Sequence, residues 1–101
     1  MASKQKNISY RRQGETGTLT ISGVVDIFEA AALHSEAKRA LADDKAVSIR
    51  IAADGAERID MSAMQILLAL RNGVEAGGRK FVVENLPASA VRRFEQTGIS
   101  F

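Results

Sequence analysis

The chain has 101 residues, 46% of them hydrophobic and 26% charged, with a single proline, a makeup that fits one folded domain with a modest core and excludes a disordered tail. Lys and Arg total 14 against 12 Asp and Glu; the excess lies in Lys4, Lys6, Arg11 and Arg12 rather than in a clustered stripe, so nucleic acid is not an expected partner. With no cysteine and one histidine, His34, a disulfide, a thiolate nucleophile and a Cys-based metal site are excluded, and no cofactor or metal is expected.

No apolar run reaches the roughly 18 residues of a membrane span, and the first residues lack the apolar core of a secretory signal. No transmembrane segment and a cytoplasmic setting are therefore expected. Residues 1–7 read as a polar, flexible lead, and residues 8–101 as a single domain.

Ile8 and Tyr10 alternate with Ser9 and Arg11 in an edge-like strand. Gly14 and Gly17 bracket a turn, after which Leu19 and Ile21 alternate with Thr18, Thr20 and Ser22, completing a hairpin. Asp26 followed by Glu29 has the spacing of a capping box, and the helix it opens should run to about Ala42. Leu33, Ala37, Ala40 and Leu41 form its buried stripe at spacings of three and four.

Val47, Ile49 and Ile51 alternate through a third strand, and Ala53-Asp54-Gly55-Ala56 reads as the loop after it. Ser62 with Gln65 has capping-box spacing ahead of the apolar run Ile66-Leu67-Leu68-Ala69-Leu70, which predicts a heavily buried helix ending near Gly77-Gly78. Lys80 to Glu84, centred on Phe81-Val82-Val83, reads as an inner strand. Asn85-Leu86-Pro87 then turns into a last helix with Val91 and Phe94 on one side, closed by Gly98. This order predicts an α/β fold: a small mixed sheet of about four to five strands covered by about three to four helices.

The segment richest in chemistry is Glu57-Arg58-Ile59-Asp60-Met61-Ser62-Ala63-Met64-Gln65. It sets an acidic loop and a serine ahead of a helix, where backbone N–H groups are free, so Ser62 reads as a helix cap, a modifiable hydroxyl, or both. His34 has no readable triad companion, and no paired carboxylates stand with an obvious base, so an enzyme is not expected. Gly77-Gly78 lacks the spacing and lysine of a nucleotide loop and reads as a helix stop. Arg92-Arg93 reads as a solvated helix face.

The order, the length and the loop before the second helix resemble the STAS domain, the fold of the anti-sigma factor antagonists, from about Ile8 to Ile99. In that family a strand leads through an Asp-Ser-Ser-Gly or Asp-Thr-Ser-Gly-like motif into a helix, and the second hydroxyl residue is phosphorylated in many members. Asp60-Met61-Ser62-Ala63 occupies the motif. Its acid and its phosphorylatable hydroxyl match, whereas Met61 replaces a hydroxyl residue and Ala63 the glycine. Leu19 to Asp26 resembles the family's strand-glycine-aspartate lead into the first helix. Gly78 before the following strand and Pro87 through Gly98 resemble its closing features, and Ile66 to Arg71 looks like variants associated with bacterial chemotaxis gene sets.

The resemblance implies protein binding rather than catalysis. Such antagonists dock an anti-sigma factor or an ATP-using serine kinase through the surface around the motif, and phosphorylation of the serine ends or alters the complex. Carried onto this chain, Ser62 is the phosphorylation site, and Asp60, Met61, Ala63, Met64 and Asp26 are the partner-binding residues. The resemblance also admits a non-phosphorylated adaptor or scaffold in chemotaxis or stress signalling, or in a lipid-transporter complex. The Ile99-Ser100-Phe101 tail either folds back on the sheet or mediates a weak homodimer, and the sequence leaves both open.

Overall fold

The computed structural model describes residues 7–96 and 98. Its elements are β1 (Ile8–Gln13), β2 (Thr16–Val25), α1 (Ile27–Ala42), β3 (Ser48–Ile59), α2 (Met61–Ala76), β4 (Lys80–Glu84) and α3 (Ala88–Gln96). The four strands form one sheet in the order β1-β2-β3-β4. β1 and β2 pair antiparallel as a hairpin, whereas β2 with β3 and β3 with β4 pair parallel, so α1 and α2 are the crossovers that parallel pairing requires. A four-stranded mixed sheet with three helices is the α/β architecture expected from the sequence.

Period-two alternation puts Leu19, Ile21, Ile49, Ile51 and Ala53 on the covered face, each fully buried. The first four meet Leu33, Ala37 and Ala40 of α1 and Ala63, Met64, Leu67, Leu70 and Val74 of α2, and Ala90 and Phe94 of α3 join the same cluster. Residues of the alternate register are polar or half-exposed. Among them the Arg50 Nε donates to Glu84 Oε1 at 2.7 Å.

Five local expectations are corrected. Ala53 to Ala56 is strand, not loop, because β3 continues alongside the end of β2, with Ser22 opposite Gly55 and Gly23 opposite Ala56. The extra residues are absorbed as register shifts, and at Gly55 a Cβ would lie 3.0 Å from that of Ser22. β4 is an edge strand rather than an inner one: Phe81 and Val83 pack on the core while Val82 turns to the open side, 45% exposed. Gly17 lies within β2 opposite Arg12, and the turn itself is Gly14-Glu15. Leu41 and Val91 leave their expected stripes and are exposed. α2 is buried along one face only, with Gln65, Ala69 and Asn72 exposed. Gly78 takes the left-handed conformation at the end of α2, as its sequence predicts.

The far end of α1 is tied to both edges of the sheet. Arg79 donates to the carbonyls of Leu41, Asp43 and Ala46 at 2.7, 3.0 and 3.2 Å, satisfying groups that the helix end and the loop after it leave unpaired. From the other edge the Tyr10 hydroxyl donates to Asp43 Oδ2 at 2.7 Å, and Arg12 Nε donates to the same oxygen at 3.0 Å. The Tyr10 hydrogen bond, followed by the Arg12 charge, holds the Asp43 carboxyl below its usual range against the opposing effect of burial. Burial, the hydrogen bond and the Asp43 charge push Tyr10 up to about 12.

The signs fix a pH window. A carboxyl lowered in the folded state adds stability above its unfolded value of about 4, and loses it as pH falls through the folded value. A phenol raised in the folded state adds stability below its unfolded value of about 10, and loses it as pH rises through the folded one. Denaturant titrations of wild type and Tyr10→Phe should therefore differ by a constant amount from about pH 5 to pH 9, with the gap closing above about pH 10. A gap that widens in alkali would contradict the cluster.

Candidate functional site

Two strand-to-helix turns lie side by side. β2 and β3 run parallel, and each passes into its helix through one aspartate, Val25-Asp26-Ile27 and Ile59-Asp60-Met61. The Asp60 N–H donates to the Val25 carbonyl at 2.8 Å and fastens the turns together. Asp26 Oδ1 accepts from the Phe28 N–H at 2.9 Å, and Asp60 Oδ1 from the Met61 N–H at 2.6 Å. Each carboxylate thus satisfies a free donor of a first turn and places negative charge at the positive end of a helix.

Asp60, not Ser62, is therefore the N-cap of α2, and the expected Ser62–Gln65 capping box is corrected. The aspartate reaches the end of the strand first with extended backbone, which leaves Ser62 as the second helical residue. Its hydroxyl has less than 1 Å² exposed and no hydrogen-bond partner. Asp26 caps α1 as expected, but the Glu29 carboxylate accepts from Asn7 Nδ2 at 3.0 Å. The Asn7 carbonyl also accepts from the Ser22 N–H at 2.8 Å, so this residue, expected in the flexible lead, is held on both sides.

Of the expected partner-binding residues, Asp26, Asp60 and Met61 come together at this end, and Met61 is 37% exposed. Ala63 and Met64 do not present a surface: both are fully buried in the core cluster, because the third and fourth residues of α2 turn inward toward the sheet. The sequence reading missed Ile27 and Phe28, which are 66% and 87% exposed in the first turn of α1. A signal was available, since both follow the cap and stand off the stripe of Leu33, Ala37 and Ala40. Val24, at the end of β2, is exposed as well. Beside these turns, a cavity of about 270 Å³ opens between α1 and α2, lined in part by His34, Lys38, Ser62 and Gln65. The Ile99-Ser100-Phe101 tail lies outside the described residues.

A mixed sheet with a leading hairpin, two parallel strand-helix units and a serine in the first helical turn after the second unit's aspartate is the layout of a STAS domain. The family model described as "Mlab, STAS domain" matches residues 8–100, and the chain belongs to the STAS domain family. The fold is similar to the phosphorylated form of the Bacillus cell fate determinant SpoIIAA, with 15% identity, TM-score 0.75, and coverage of 91% of this chain and 84% of that one. It is similar also to the anti-sigma factor antagonist SpoIIAA in its unphosphorylated form, with 16% identity, TM-score 0.71 and the same coverage of 91% and 84%. No curated protein gives a significant match. Among the described residues, no helix is long and apolar enough to cross a membrane.

Proposed function

We propose that the chain is a regulatory docking module whose partner is an anti-sigma factor or a serine kinase-like protein, and that phosphorylation of Ser62 by such a kinase switches the complex. Residues 8–101 act as one unit in the cytoplasm, and the partner binds ATP. The observation that carries this reading is the gathering of exposed Ile27, Phe28 and Met61 at two joined helix starts, with Ser62 in the first turn of one of them. Apolar side chains flanked by Asp26 and Asp60 offer an anchor with a polar rim, the usual anatomy of a protein interface.

A phosphate on Ser62 adds about 1.5 to 2 negative charges, which the helix start tolerates. A partner packed on the same turn meets repulsion and desolvation, and a loss of about 1.4 kcal/mol already weakens binding tenfold. Because the hydroxyl is closed off, the kinase has to open the first turn of α2 or rotate the side chain, and helix ends are the segments that open at least cost.

That same burial, with Met61 and Ala63 in place of the motif's hydroxyl and glycine, favours a second reading: an adaptor that binds without being modified, as in a lipid-transporter complex. Capture of the partner from native cytosol, addition of ATP and intact-mass measurement separate the two. The switch predicts one added phosphate mapped to Ser62. A stable complex with no modification supports the adaptor.

A further inference from the structure

His34, Ala37, Lys38 and Leu41 recur along α1 at spacings of three and four, and Ser62, Gln65, Ile66 and Ala69 do so along α2. The two stripes line opposite walls of the α1–α2 cavity, together with Leu70. Alanine and aliphatic side chains supply most of its lining. The polar contributions are His34, Lys38, Ser62 and Gln65, and no Asp or Glu lines it. Ser62 belongs to this wall, but its hydroxyl has less than 1 Å² exposed and no hydrogen-bond partner, so a rotation of the side chain is what brings it to face the groove. A serine deeper in a helix bonds a carbonyl one turn back, but the residues three and four before Ser62 are Ile59 and Arg58 of β3.

We propose that the α1–α2 groove is the seat of the phosphoryl group on Ser62, with Lys38 and His34 of α1 as its countercharges. This rests on the reading that Ser62 is the phosphorylated residue. In the transfer, Ser62 Oγ forms a bond to the γ-phosphorus of a nucleoside triphosphate held by the kinase partner. The bond from that phosphorus to the β–γ bridging oxygen breaks, the nucleoside diphosphate leaves, and the hydroxyl proton passes to the kinase or to water. The free N–H groups of the first turn of α2 add to the site as at any helix start. The further contribution comes from α1, where His34 and Lys38 line the groove and no carboxylate does. The nearest acid in sequence, Asp60, is engaged with the Met61 N–H and does not line the cavity. Seated there, the phosphate fills the groove and ties α1 to α2 beside the docking surface.

The test uses the chain with phosphoserine installed at position 62 during synthesis, which bypasses any kinase. Phosphorus NMR follows the second ionisation of the phosphate, and proton NMR follows the ring of His34, the sole histidine. The phosphate ionisation is expected about one unit below its ordinary value of about 6, with the His34 titration moved upward by the phosphate. Lys38→Ala and His34→Gln, both at exposed positions, should each return the phosphate part of the way. A shift due to the helix start alone survives both variants, and that result, or a His34 titration unmoved by phosphate, overturns the proposal. The switch fails separately: a partner complex indifferent to phosphoserine at 62 removes the regulatory reading while leaving the titrations to decide the groove.

Discussion

Phe28→Asp is expected to leave the chain folded and to weaken the partner complex by on the order of thirtyfold. Phe28 is 87% exposed, so the substitution removes almost no buried surface, and a surface change of this kind stays within about 0.5 kcal/mol of wild type. In a domain of this size that is a shift of about 2 to 4 °C in melting temperature at most. An aromatic side chain held this far into solvent beside two helix starts is suited to fill a partner pocket, where truncation of such an anchor costs about 2 kcal/mol or more. Val47→Asp is the matched control. Val47 is also an exposed apolar residue, but it precedes β3, at the end of the sheet away from Asp26 and Asp60, and its substitution should leave affinity unchanged. Calorimetric titration of the captured partner with the three chains checks both expectations. Equal affinity for wild type and Phe28→Asp would remove the helix starts as the docking surface.

Gly17→Ala is expected to lower stability by about 2 to 3 kcal/mol without touching the docking end. A Cβ at this position would overlap the Tyr10 hydroxyl and stand 2.7 Å from two of its ring carbons. The ring cannot step aside freely, because Tyr10 is only 8% exposed and its hydroxyl is bound to Asp43. Relief of the overlap therefore sacrifices core contact, the hydrogen bond, or the pairing of Gly17 with Arg12. A loss of that size corresponds to a fall in melting temperature of roughly 10 to 20 °C. Adding Tyr10→Ala to Gly17→Ala should cost clearly less than the two single losses together, since either change removes the same overlap. Strict additivity in the double-mutant cycle would mean that the two residues do not meet.

The fold was legible where a local signal and its tertiary neighbours agree. Leu19 and Ile21, then Ile49 and Ile51, alternate because only one face of the sheet is covered, and the α1 cap is written in the sequence as Asp26 before an alanine-rich stripe. Reading failed where a neighbouring element overrides the local signal. Asp54-Gly55 has the chemistry of a turn, yet the last residues of β2 offer a pairing partner and extend the strand through it. Phe81-Val82-Val83 has the apolar run of an inner strand, yet no fifth strand follows to cover it among the described residues.

At the candidate site, the motif falls at the turn from β3 into α2. Asp60 and Met61 fall where a partner can reach them, whereas helical phase carries Ala63 and Met64 into the core. Whether Ser62 or Asp60 caps α2 depends on where β3 stops, a boundary that the residue pattern leaves uncertain by a few positions. Phe28 was overlooked for a different reason: family resemblance directs attention to the second turn, while the apolar residues that flank it come from the first.

Control of docking by Ser62 is tested most directly by the affinity of the captured partner for the chain carrying serine or phosphoserine at position 62, with both forms first shown to be folded by circular dichroism. Phosphoserine is expected to weaken the complex by at least about tenfold, equivalent to about 1.4 kcal/mol. Equal affinity for the two folded forms would contradict it.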